Sequence, residues 1–143
     1  MADRAPPTDV SPLYLAAKSG QVALVRYILE RGLNGVDERN DKVGSTVLMC
    51  AAKSGAIDVL KLLLQKGADP YLQNENGDTA LMEAARAHNL EAIRVLAAAM
   101  KKEHIDQENE LTSLTPFMYC VLSQRFEAAA ALAKLGADKN FVN

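Results

Sequence analysis

The chain has 143 residues, 49% of them hydrophobic and 24% charged, which is enough for one domain with a continuous core. The formal net charge of −2 argues against general binding to nucleic acid or anionic membranes. No apolar run approaches the ~20 residues of a membrane span, and the two cysteines lie too far apart in sequence to suggest a disulfide framework. These features predict an intracellular protein, in the cytoplasm first, with the nucleus as the alternative.

Along the chain, the first element is a leader over residues 1–9, which contain two prolines and are otherwise mostly polar or small. Next comes Ser11, whose hydroxyl can cap a helix that starts at Pro12. This helix is predicted to end near Gly20, and a second, longer helix follows over 22–31. A polar turn then brings the chain to the next hydroxyl residue.

The same order of elements recurs three more times. Equivalent helix caps are predicted at Thr46, Thr79 and Thr115. The apolar anchors of the four units are separated by 35, 33 and 36 positions and are Leu13, Leu48, Leu81 and Phe117. The later second helices are predicted over 57–66, 90–100 and 126–135. A period near ~33 residues is typical of solenoids, in which each unit covers the apolar face of its neighbour.

Two segments carry a specific resemblance. Residues 77–85 read Gly-Asp-Thr-Ala-Leu-Met-Glu-Ala-Ala, and residues 67–70 read Gly-Ala-Asp-Pro. They resemble the Gly-x-Thr-Pro-Leu-His-x-Ala-Ala and Gly-Ala-Asp segments of the ankyrin repeat family, in register over 10–143. The resemblance implies an all-α ankyrin-repeat solenoid of four helix-turn-helix repeats joined by short hairpin-like fingers. The expected repeat bounds are about 10–40, 41–73, 74–109 and 110–143.

The chain departs from the family pattern at the histidine that follows the leucine. The four residues in its place are Tyr14, Met49, Met82 and Met118. We expect the local hydrogen bonds of that histidine to be absent, so that stability depends more on packing. The methionines occupy equivalent positions and are expected to fill the core between first helices rather than form a binding surface.

The sequence contains no phosphate-binding glycine loop, nucleophile elbow or metal-ligand spacing. Cys50 and Cys120 lie two repeats apart, and His88 and His104 are far from both. We therefore predict no enzyme activity, no catalytic residue, no metal and no cofactor. His88 occupies the place of a glycine in the first two repeats, which predicts a turn residue.

By the resemblance, the function is protein–protein recognition through the concave groove and the finger tips. Lys18, Lys53 and Arg86 hold the same position in three repeats, and the resemblance implies that this position is exposed on the concave side. Three cations in a row are able to attract an acidic segment of a protein partner. The alternative is that they form an ordinary solvated helix face.

Repeat four has Leu122 where the other repeats have the cation. The family geometry places Leu111 and Leu114 on the finger and Tyr119 on the inner helix. Exposed apolar residues grouped in this way often mark an interface. The alternative is that the longer finger folds its leucines onto its own repeat. The predicted partner-binding residues are Lys18, Lys53, Arg86, Leu111, Leu114, Tyr119 and Leu122.

Two other functions stay open at this point. The repeats can be the targeting or regulatory domain of a larger enzyme or channel, or a structural spacer without a specific ligand. The last predicted helix has few charges to cap a solenoid, and residues 136–140 repeat a segment that elsewhere leads into another finger. We therefore expect the chain to continue beyond Asn143 or to self-associate through its C-terminal end.

Overall fold

The computed structural model describes residues 11–40 and 43–137. These residues form eight α-helices: α1 Pro12–Lys18, α2 Val22–Glu30, α3 Val47–Ser54, α4 Ile57–Gln65, α5 Ala80–Arg86, α6 Leu90–Ala99, α7 Pro116–Leu122 and α8 Phe126–Lys134. The described residues also contain two short strands, β1 Arg39–Asn40 and β2 Ser45–Thr46, and a 3₁₀ turn at Lys102–His104. The helices form four consecutive pairs, which we call repeats 1 to 4. The predicted leader and the last six residues of the chain lie outside the described residues.

A hydroxyl residue caps each first helix, as the sequence predicts. Each cap oxygen accepts a hydrogen bond from the backbone N–H three residues later, at distances of 3.1, 3.3, 3.3 and 3.2 Å for Ser11, Thr46, Thr79 and Thr115. These bonds satisfy N–H groups that have no partner within the helix. The cap therefore sets where each repeat begins.

The second helix of every repeat ends one residue before its predicted end. The residue expected to finish the helix is the cap residue instead. In repeat 3 this cap is Met100, whose extended backbone leads into the 3₁₀ turn. Within each repeat, the turn between the two helices has left-handed backbone at Gly20, Gly55, His88 and Gln124. The turn role predicted for His88 is confirmed.

First helices stack on first helices and second helices on second helices, so the four pairs share one core. Met49 and Met82 are only 2% and 0% exposed, which confirms their predicted place in the core. In repeats 2 and 3, the methionine that stands in place of the histidine makes a local hydrogen bond of its own. In both, the sulfur of the methionine accepts a bond from the backbone N–H of the cap threonine, at 3.4 and 3.5 Å. Because sulfur is a weak acceptor, packing still dominates.

Three fingers connect the repeats: finger 1 (36–46), finger 2 (70–79) and finger 3 (105–115). In finger 1, β1 and β2 pair antiparallel, with Arg39 opposite Thr46. Finger 2 folds around Asn74, whose Oδ1 atom accepts from the backbone N–H groups two and four residues later, at 2.9 and 3.0 Å. Finger 3 folds around Asn109, whose Oδ1 atom accepts from the backbone N–H groups two and three residues later, at 2.7 and 3.2 Å.

Candidate partner-binding site

The first helices of repeats 1 to 3 form one side of an open groove, where the family resemblance places the concave binding surface. The volume of the groove is about 460 Å³. We call this surface the inner groove and define it by Tyr14, Lys18, Met49, Cys50, Lys53, Glu83 and Arg86. Because these side chains come from three repeats, the groove exists only when the repeats are stacked.

The cations expected to form a row do lie together in the inner groove. Lys18, Lys53 and Arg86 are all exposed. Neither lysine forms an ion pair with any of residues 11–40 and 43–137. Both lysines therefore present exposed side chains to the groove.

Arg86 has a different environment from the two lysines. Its Nη2 atom pairs with the carboxylate of Asp78, which is only 1% exposed. Its guanidinium also lies over the ring of Tyr119, 5.1 Å from the centroid. The sequence led us to expect that three cations in a row would attract an acidic segment. Since Arg86 already neutralises a buried carboxylate, its charge adds less to this attraction than the charges of the two lysines do. A direct contact between Arg86 and a partner stays a prediction.

Asp78 is the centre of a polar cluster that joins repeats 3 and 4. Its Oδ1 atom accepts from Asn109 Nδ2 at 2.9 Å and from the Tyr119 hydroxyl at 3.1 Å. Asn109 Nδ2 also donates to the Tyr119 hydroxyl at 2.9 Å. We call these three residues and Arg86 the Asp78 cluster. The Tyr119 hydroxyl is therefore engaged within the cluster, and its side chain is half-buried.

Glu83 lies in the inner groove on the same helix as Arg86. Burial raises the pKa of Glu83, although the Arg86 guanidinium opposes the rise. The Asp78 charge raises this pKa further, whereas Lys53 and a hydrogen bond from Asn74 Nδ2 lower it. A carboxylate in the groove repels a second acid, so an acidic ligand is favoured at the end of the groove that holds the lysines.

The leucines predicted to contact a partner differ in exposure. Leu111 on finger 3 is 70% exposed and Leu122 at the end of α7 is 65% exposed. Leu114 is half-buried. The alternative in which the finger folds its leucines onto its own repeat is therefore wrong for Leu111, which points into solvent. This exposed apolar surface lies in repeat 4, apart from the lysines of the groove.

Sequence reasoning missed the two finger asparagines, Asn74 and Asn109. Asn74 and Asn109 are 7% and 1% exposed, although asparagine is usually a surface residue. One signal was present: each precedes a cap threonine, Thr79 or Thr115, by five or six positions. This shared placement indicates a structural role that is repeated along the stack.

Within the described residues, no group of three or more His, Cys, Asp and Glu side chains could hold a metal ion. No helix in the described part of the chain is long and apolar enough to cross a membrane. Burial raises the pKa of the Cys120 thiol to about 11, so this thiol is un-ionised at neutral pH. The inner groove offers charge, hydrogen bonds and apolar surface to a ligand.

Comparison with known proteins agrees with this geometry. The sequence model for ankyrin repeats, in three copies, matches residues 3–74 and 66–143. An ankyrin repeat protein of Acanthamoeba polyphaga mimivirus is 29% identical over 111 residues, which are 75% of this chain and 15% of that protein. The chain thus spans about 15% of the length of this curated relative. Ankyrin repeats are in general protein–protein interaction modules and are typically non-catalytic. The chain belongs to the ankyrin repeat family.

Proposed function

We propose that this chain binds a protein partner through the inner groove, with an acidic segment of the partner lying over Lys18 and Lys53. The observation that carries the proposal is this pair of exposed lysines, neither of which has an ion pair within the described residues. Opposite charges steer the encounter and fix the orientation of the complex. A protein fits better than a nucleic acid, because Glu83 lies in the same groove and the net charge is −2.

The groove is built on helices whose other sides are packed into the core. Leu48 and Ala51 on α3, for example, are 1% and 0% exposed. A surface fixed in this way loses little conformational entropy on binding, so a few contacts give useful affinity. The half-buried Tyr14 and Cys50 add apolar surface beside the lysines.

The partner has a second contact in this proposal, the apolar surface of repeat 4. Leu111 is exposed, yet its backbone N–H donates to Asn109 Oδ1 at 2.7 Å, which holds the finger tip in place. Leu122 and the half-buried Leu114 extend this surface. Arg86 and Tyr119 lie between the two contacts, and the main role we assign to them is to position finger 3.

A cross-linker attached to Cys50 tests the proposal, because this thiol lines the groove whereas Cys120 is fully buried and un-ionised. Proteins captured from cell extract are then cross-linked and identified. Binding of the purified partner is compared between the wild-type chain and the double variant Lys18→Glu/Lys53→Glu. The matched control is Arg26→Glu/Lys61→Glu, which makes the same charge change at exposed positions on second helices.

We expect the groove double variant to weaken binding by at least about tenfold and the control to leave it unchanged. Binding of the wild-type chain is expected to weaken as salt rises, because salt screens exposed charges. Equal affinity for the two double variants would overturn the proposal. A partner that binds the groove variant normally but fails with Leu111→Ala would move the binding site to repeat 4.

The setting proposed for this binding is the interior of a cell, in the cytoplasm first, with the nucleus as the alternative. Cys50 and Cys120 form no disulfide within the described residues. Free thiols persist in reducing compartments, whereas oxidising ones favour disulfides. Fractionation of cells that express the tagged chain tests this placement, and recovery of the chain outside the cell would contradict it.

A further inference from the structure

The two ends of the stack expose the two halves of an inter-repeat junction. In repeat 2, three apolar residues at the junction with repeat 1 are 0%, 3% and 6% exposed: Val59, Leu62 and Ala68. The equivalent residues of repeat 1 are 42%, 51% and 61% exposed, and we call them the front face: Leu24, Tyr27 and Leu33. A solenoid end that faces water normally carries polar residues there. Repeat 1 carries the apolar surface of an interior repeat.

The opposite end of the stack shows the complementary change. Met82 and Ala85 of repeat 3 are 0% exposed, because repeat 4 covers them. The equivalent residues of repeat 4, Met118 and Val121, are half-buried. On the next helix Phe126 is 66% exposed, whereas the equivalent Leu90 is half-buried. We call Met118, Val121 and Phe126 the back face.

We propose that copies of this chain associate head to tail, with the front face of one copy packed on the back face of the next. The internal junctions show that a back face covers a front face in this fold, and this chain exposes one of each. A second copy therefore supplies the surface that each end lacks. Since the two faces differ, the contact is heterologous and leads to open rows of copies rather than to a closed dimer.

Size and charge make this contact weaker than an internal junction. Tyr27 and Leu33 are larger than the equivalent Leu62 and Ala68, so two copies cannot approach as closely as neighbouring repeats do. At the junction of repeats 1 and 2, Lys66 Nζ lies 3.2 Å from Glu30 Oε2. Between copies, the equivalent residues are Arg31 and Lys134, which carry the same charge. We therefore expect association only at high protein concentration.

Sedimentation of the full 143-residue chain over a range of concentrations tests the proposal. The wild-type chain is expected to form dimers and longer species as its concentration rises. Tyr27→Glu blocks the front face and Phe126→Glu the back face, and each is expected to weaken association at least about tenfold by placing a charge in an apolar contact. The control is Leu111→Glu, at an equally exposed leucine outside both faces, which is expected to associate like the wild type.

Mixing the two blocked variants is the most specific test. Phe126→Glu keeps its front face and Tyr27→Glu keeps its back face, so the mixture is expected to form dimers that grow no further. Three outcomes would overturn the proposal: a mixture that stays monomeric, a wild-type chain that is monomeric at every concentration, or equal loss in the Leu111→Glu control. Circular dichroism of each variant verifies that it is folded.

The like charges of Arg31 and Lys134 allow a further test, which also distinguishes head-to-tail association from binding in the inner groove. Lys134→Glu places an acid opposite Arg31, as Glu30 is opposite Lys66, and is expected to tighten association about threefold. Salt is expected to tighten association of the wild-type chain, because it screens two like charges. Binding in the groove has the opposite salt dependence. A Lys134→Glu variant that associates no better than the wild type would contradict the head-to-tail register.

Discussion

Repeats 2 and 4 share one architecture, yet different interactions hold them in the stack. Repeat 2 buries four large apolar side chains almost completely: Leu48, Met49, Leu60 and Leu63. Among the described residues of repeat 4, Leu132 is the large apolar side chain buried to that degree. The other buried residues of α8 are alanines. Apolar burial therefore contributes less to repeat 4 than to repeat 2.

Repeat 4 is attached through a buried carboxylate, whereas the ion pair that joins repeat 2 to repeat 1 is between side chains that are 34% and 52% exposed. The Asp78 cluster ties Asn109 and Tyr119 to a carboxylate that belongs to repeat 3. Packing tolerates small adjustments, whereas a buried carboxylate needs each of its donors in place. Different repeats of one solenoid can therefore be held in the stack by different kinds of interaction. Each kind has its own characteristic weakness.

The largest expected effect comes from a matched pair of core substitutions. Leu63→Ala should lower the free energy of unfolding by about 2–5 kcal/mol, because Leu63 is fully buried between repeats on both sides. Leu132→Ala makes the same change at the equivalent position of repeat 4. Its effect should be smaller and confined to repeat 4, since a terminal repeat opens without the rest of the stack. Urea denaturation measures both losses.

Hydrogen exchange of the wild-type chain gives the local stabilities with which the Leu63→Ala and Leu132→Ala variants are compared. Residues 46–69 are expected to be better protected than residues 110–137, and the difference should grow in Leu132→Ala. Equal losses of stability in the two variants, or stronger protection of 110–137, would show that repeat 4 is not the weaker unit.

A substitution in the Asp78 cluster should have the next largest effect. Asp78→Asn keeps the size of the side chain but removes the charge that pairs with Arg86. It also places an amide where hydrogen-bond acceptors are needed. We expect the stability of repeat 4 to fall by about 1–3 kcal/mol. Protection from hydrogen exchange should drop over 105–137 and stay unchanged over 47–65.

Glu110→Gln is the control for Asp78→Asn, because Glu110 is an exposed acid on finger 3. It removes the same charge without touching the cluster and should leave exchange unchanged. A loss of protection in repeat 2 that equals the loss in repeat 4 would mean that the cluster stabilises the whole stack instead of one junction.

The features of repeat 2 could be read from the sequence because they are local. A hydroxyl cap such as Thr46 and the apolar spacing after it lie within a few positions of each other. The Asp78 cluster could not be read in this way. Asn109 and Tyr119 lie 31 and 41 positions from Asp78. Their residue types are common in solvent-exposed turns, and only the fold brings them together.

The candidate site shows the same division between local and long-range information. The common position of Lys18, Lys53 and Arg86 follows from the repeat register, which the sequence contains. That Arg86 is engaged by Asp78 depends on burial of the acid, and burial follows from the packing of finger 3 against finger 2. Equivalent positions therefore share a location, but each has its own electrostatic surroundings.

The smallest expected effect concerns Glu83, between the lysines of the groove and the Asp78 cluster. Burial raises its pKa in the folded state above the usual 4.5. A raised pKa favours the protonated form, so the stability linked to this group is fully present below the unfolded pKa and is lost as pH rises through the folded pKa. Glu83→Gln should therefore be more stable than the wild type at pH 7, by about 0.5 kcal/mol.

The gain in Glu83→Gln is expected to vanish in acid, where Glu83 of the wild type is protonated. Urea denaturation at a series of pH values measures the difference between the two chains, and Glu108→Gln at an exposed site is the control. The glutamine can still accept the hydrogen bond from Asn74 Nδ2. Arg86 then no longer interacts with a charged Glu83, but it keeps its ion pair with Asp78. The variant should therefore also protect repeat 4 slightly better at neutral pH. A gain of equal size at every pH would show that the charge of Glu83 has no part in it.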